Sequence, residues 1–142
     1  MSELSRQQAI AAALADVFQD GSILINDYAT PQTASRKRAP WAVLATGDDF
    51  SATPGESWQT PTATWRVFLT LLDYRAGRSE KEALDAFQAI RQSTIEALLA
   101  VPYLVERIEA QTTVGPYFTE EGEPDPDSIA QALVVHITDY EV

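Results

Sequence analysis

The feature that most constrains this chain is the stretch over residues 62–99, TATWRVFLTLLDYRAGRSEKEALDAFQAIRQSTIEALL. Its first thirteen residues, 62–74, contain no Gly or Pro and are dominated by aromatic, aliphatic and Thr side chains. That composition suits a pleated surface and predicts one long strand. At roughly 3.3 Å per residue such a strand spans about 43 Å. A compact domain of this length is only about 37 Å across. The strand therefore crosses the whole fold or projects past it, and surplus strand length is available for pairing with another molecule. Its alternation places Thr64, Arg66, Phe68, Thr70, Leu72 and Tyr74 on a half-solvated face. Trp65, Val67, Leu69, Leu71 and Asp73 lie on a more apolar one. Ala76-Gly77-Arg78 supplies a turn, and Ser79-Glu80-Lys81-Glu82 fits a capping box that opens a helix running to about Ala100, before Pro102. Leu84, Phe87, Ile90 or Arg91, Thr94, Ile95, Leu98 and Leu99 form its apolar stripe. At 1.5 Å per residue the helix is about 30 Å long, enough to cover most of the strand.

The other elements arrange themselves around this unit. Residues 2–18 predict a helix, capped by Ser2 or Ser5, with Ile10, Leu14, Val17 and Phe18 on one stripe and Gly21 beyond its end. A short strand follows over 22–28, then a loop over 29–40 carrying the cationic run Arg36, Lys37, Arg38. Residues 41–46 (WAVLAT) predict a buried strand, closed by a turn at Gly47-Asp48-Asp49. Residues 50–61, with Trp58, are too polar and too punctuated by Pro and Gly for regular structure. After the helix come a polar edge strand over 103–114, an acidic loop over 115–127 and a long final strand over 128–142. The expected order is α-β-β-β-α-β-β in a single domain over 1–142. It makes an α+β fold with a mostly antiparallel sheet of about five strands and two helices on one face.

Composition narrows the function by exclusion. A formal net charge of −11 argues against tight nucleic-acid binding, because phosphates reward clustered Lys and Arg. No apolar run is long enough for a membrane helix, the N-terminus lacks a signal-peptide pattern, and the chain has no cysteine. The one histidine, His136, sits on a strand between Val135 and Ile137 and reads as a structural or surface residue. There is no nucleophile elbow, P-loop or dinucleotide fingerprint. The carboxylates of 120–127 lack the spacing of an EF-hand loop. Catalysis is not expected, and neither a cofactor nor a metal is. Residues 111–142 hold seven acids and neither Lys nor Arg, with Glu120, Glu121, Glu123, Asp125 and Asp127 grouped as a candidate acidic surface. Arg36, Lys37, Arg38, Trp58, Arg75 and Arg78 are the candidate contacts with a subunit or partner.

The order of these segments resembles a known family. The helix leads to a strand ending in Asp27-Tyr28, a Pro-containing loop, PWAVLATGDD and a polar loop with Trp58. TATWRVFLTLLDYR with Gly77 in its turn and EALDAFQAIRQSTIEAL then follow. This is similar to the tail terminator or tail-completion proteins of long-tailed bacteriophages and prophages, most clearly over 40–99. The resemblance implies a virion protein made in the host cytoplasm. It would form a ring, commonly a hexamer, on the head-proximal end of the tail tube. Such a ring stops tube polymerisation and meets a head-completion or connector protein. Its partners would be itself, the tube protein and that connector. DNA would cross a lumen surrounded by about −66 formal charges in six copies, and would slide rather than stick. A different α+β adaptor, such as a dimeric secretion chaperone, is the alternative, and a small hydrolase or ligand-binding domain around His136 is a third.

Overall fold

A computed structural model describes residues 3–26, 39–53, 62–102, 104–118 and 121–139. Two helices and five strands follow one another as α1 (Glu3–Ala13), β1 (Ile23–Ile25), β2 (Trp41–Thr53), β3 (Thr62–Tyr74), α2 (Glu80–Ala100), β4 (Val105–Ala110) and β5 (Ser128–Asp139). The fold is α+β, in the order the sequence predicts. The strands form one sheet in the order β1-β2-β3-β5-β4. Three of its pairings are antiparallel, and the β1–β2 pairing is parallel. The sheet is therefore mixed, with a parallel edge at β1.

β3 is the axis of the sheet. All thirteen of its residues are in strand, and it is flanked by β2 and β5 over most of its length. Both helices pack on the face that carries Val67, Leu69 and Leu71. There Ile10, Leu14 and Phe18 meet Phe87 and Leu98 of α2 over Leu44, Leu133, Val135 and Ile137. A smaller cluster lies on the opposite face, where Trp41, Leu72, Tyr74 and Ala130 are buried against Leu24, Ala39 and Tyr117. The Trp65-to-Asp73 face is thus the core face, as its alternation predicts. The other face is half solvated at Arg66, Phe68 and Thr70 and closed at Leu72 and Tyr74.

α2 runs over the predicted residues. Ser79 is its N-cap and accepts from the Glu82 amide at 3.2 Å. Its hydroxyl also donates to Glu82 Oε1 at 3.0 Å, so the two side chains close on each other. The buried stripe is Ala83, Phe87, Thr94 and Leu98, with the Thr94 hydroxyl donating to the Ile90 carbonyl at 2.8 Å. Leu99, placed on the stripe from sequence, is 55% exposed. It falls one residue past Leu98, which rotates it about 100° away from the sheet. Arg91 Nη1 donates to Gln131 Oε1 at 2.8 Å, while Gln131 Nε2 donates to the Thr112 carbonyl at 2.9 Å. The buried amide is satisfied at both ends, and it ties α2 to the sheet.

Four expectations need correction. The first helix ends at Ala13 rather than Phe18. Beyond it the amides of Leu14, Ala15 and Val17 bond three residues back, tightening the chain into turns that still bury Leu14 and Phe18. The turn expected at Gly47-Asp48-Asp49 is instead a bulge within β2. Ala45 pairs with Phe68 and Asp49 with Arg66, so residues 46–48 stand opposite the single residue Val67. The strand then resumes through Thr53, paired with Thr62–Trp65, where an irregular loop was expected. The physical reason is the length of β3, whose first residues would otherwise lack a ladder partner on that side. β4 is shorter than the predicted 103–114. Past Ala110, the amides of Gln111 and Thr112 share the Ala132 carbonyl at 2.8 and 3.2 Å, which ends regular pairing. Its edge position agrees with its polar sequence.

Candidate assembly surface

The β3–α2 connection explains two of the candidate contact residues. Arg75 to Arg78 is a tight turn closed by the Arg78 amide donating to the Arg75 carbonyl at 3.0 Å. Its central residues, Ala76 and Gly77, have φ of 52° and 81°, the mirror-image turn type that suits Gly at its second position. Arg78 then folds back over this turn. Its Nε donates to the Arg75 carbonyl at 2.9 Å, and Nη2 donates to the Tyr74 carbonyl at 2.6 Å and to Asp73 Oδ2 at 3.2 Å. Asp73, a carboxylate on the core face and 6% exposed, thereby gains its counter-charge. Arg78 is a clamp on the turn, with its polar atoms directed inward.

Arg75 behaves differently. Its amide donates to the Asp127 carbonyl at 2.8 Å, which fastens the turn to the start of β5. Its Nε is buried with no hydrogen-bond partner among the described residues, and Nη2 stands 4.0 Å from Glu80 Oε1. It lines a cleft of about 580 Å³ whose other walls include Leu84, Val114, Pro116, Pro124 and Ile129. The acidic segment forms one side of that cleft, so the structure brings Arg75 together with the loop that carries Glu121, Glu123, Asp125 and Asp127. Within the loop, Asp125 is a scaffold. Its Oδ1 accepts from the Asp127 amide at 3.0 Å, and its carbonyl accepts from the Ser128 hydroxyl at 2.7 Å. Glu121 and Glu123 are exposed around Gly122, whose φ is 80°. Arg36, Lys37, Arg38, Trp58 and Glu120 lie outside the described residues.

Two surface features were missed in the sequence. Phe118 bridges to Pro124 and is 57% exposed beside the acidic residues. Its signal was the aromatic pair Tyr117-Phe118 at the head of an acidic loop. The second lies on the helix-free face of the sheet, where β3, β4 and β5 place Arg66, Arg107, Glu109 and His136 around a shallow depression of about 410 Å³. His136 is 5% exposed, with Nε2 3.1 Å from Glu109 Oε2, and Arg107 Nε is 3.2 Å from Glu109 Oε1. The cross-strand pairing of Arg107 with His136 creates this group, and sequence separation hides it. The histidine is held by a carboxylate, but no serine or threonine hydroxyl bonds to it among the contacts described. No group of three or more metal-ligating side chains occurs among the described residues. None of their helices is long and apolar enough to cross a membrane.

No protein family and no curated protein matches the chain. Among solved structures, a chain described under "Virion of native gene transfer agent (GTA) particle" is similar over 97% of this chain and 92% of that one. The two are 10% identical, with a TM-score of 0.45. A likeness of that strength fixes neither a family nor a role.

Proposed function

We propose that this chain is a structural protein of a phage-type virion, working as a subunit of a ring on the head-proximal end of a tail tube. In that position the ring ends tube growth and offers its outer side to a head-completion or connector protein. The reading assigns the chain no catalysis and no cofactor. The observation that supports it is the sheet itself. The order α-β-β-β-α-β-β that carries the family resemblance is the order of the chain, and it is built on a pair of thirteen-residue strands that outrun β1. β3 itself is paired on both sides, so its surplus length is taken up by β2 and β5. The strand length open to a neighbour, among the described residues, lies on β2 past β1 and on β4. The high negative charge suits a conduit along which DNA moves without being held.

Native mass spectrometry and light scattering test this reading. A closed species of one defined mass, commonly six copies, is expected, either free or on addition of the tube protein. A monodisperse dimer that persists at high concentration would instead favour an adaptor or chaperone.

A further inference from the structure

We propose that copies of this chain join through their sheet edges, with the outer edge of β4 hydrogen-bonding the outer edge of β2, beyond β1, in the next copy. The contact is argued from strand register. β1 pairs with only Ala42–Leu44 of β2. From Asp49 to Thr53, β2 is bordered by β3 on one side and, among the described residues, by no strand on the other. β4 likewise has β5 on one side and no strand on its outer side among those residues. Among the described residues the two open edges overlap at the rungs of Phe50 and Asp49, whereas the far end of β4 is level with Leu44, which β1 covers. Val105 shares a rung with Ile137, Trp65 and Phe50, and Ala110 shares one with Leu133, Leu69 and Leu44.

Polarity completes the match. β2 is antiparallel to β3, β3 to β5, and β5 to β4. β4 therefore runs opposite to β2 within one molecule. A second copy set beside the first, without being turned over, presents its β4 antiparallel to β2, the more stable of the two pairings. The edges are of similar length, six residues of β4 against five of β2. Neither stretch carries a Pro or a Lys, and β4 carries Glu106, Arg107 and Glu109 with a register shift between Val105 and Arg107. Each copy contributes two different edges, each both donating and accepting, so the contact is head-to-tail and propagates. A stagger of a few residues along the strands aligns the two edges, and closing a sheet on itself requires such a stagger. Closure into a ring rests on the function proposed above, whereas the edge contact does not.

The chain has no cysteine, so each introduced thiol is unique. Residues facing each other across antiparallel strands have Cα atoms about 4.5–5.5 Å apart, inside the range that a disulfide bridges. Single-cysteine variants at Glu106, Arg107 and Glu109 are mixed in turn with variants at Phe50, Ser51 and Ala52 and oxidised gently. A disulfide-linked dimer containing one chain of each kind is expected. The best partner should move down β2 as the probe moves up β4, the signature of antiparallel pairing. Gln92→Cys, on an exposed turn of α2, mixed with Ser51→Cys should give none. Failure of every β4–β2 pair, or predominance of links between two β4 probes, overturns the edge contact. Mass reports separately on the ring: β4–β2 links in an assembly that stops at two copies keep the contact and reject the ring.

Discussion

Arg78 shows how much of a turn can rest on one side chain. Three of its hydrogen bonds end on Asp73, Tyr74 and Arg75, and it supplies the cation beside a nearly buried carboxylate. Arg78→Ala should lower unfolding stability by about 2 kcal/mol, since Asp73 loses its charged partner and two carbonyls lose a donor. Urea denaturation measures this, and an unchanged midpoint would rule the clamp out. Arg78→Lys should recover only part of the loss, because an ammonium cannot span the same fork. Ala76, at a φ of 52°, holds a conformation that an L-residue with a Cβ adopts at a cost. Ala76→Asn should therefore raise the melting temperature by a few degrees, as Asn tolerates that region better. The sequence exposed the turn through Gly77, but not Arg78's direction. Arginine beside a turn serves equally as a surface contact, and only the position of Asp73 decides which.

At the scale of elements, α2 stands on its buried stripe more than on propensity. Phe87→Ala should cost about 3–5 kcal/mol, as expected for emptying an aromatic site in a packed core. Leu99→Ala should change stability little, because that side chain already faces water. Chemical denaturation of the two variants side by side separates the helix faces, and similar losses would contradict the packing. The bounds of this helix and of β3 were legible, because hydrophobic period, capping residues and turn residues agree along them, although Leu99 falls off the buried stripe and Ala83 joins it. β2 was legible only to its bulge. Gly47-Asp48-Asp49 reads locally as a turn, and what overrides it is the ladder offered by β3, a contact between strands that no local window contains. The same applies to the site. The acidic loop and Arg75 could be picked out singly, whereas their meeting across one cleft depends on β3 and β5 being neighbours.

At the scale of the whole molecule, a charge of −11 sets the conditions for any self-assembly. Subunits of like sign repel over a Debye length, which shrinks from about 30 Å at 0.01 M salt to about 8 Å at 0.15 M. If backbone pairing and apolar contact hold copies together, raising the salt across that range should enlarge the assembled fraction in light scattering. Dissociation on adding salt would point instead to subunits held by opposite charges. The bulge in β2 carries a further consequence, for how such a sheet can change in length. It sets three residues against one, an excess of two, so β2 regains β3 in the same phase on either side. Taking out two residues there would straighten the strand and leave its inside and outside where they are. Taking out one would exchange them for every position beyond. In related sheets, insertions and deletions at this point should therefore come in even numbers.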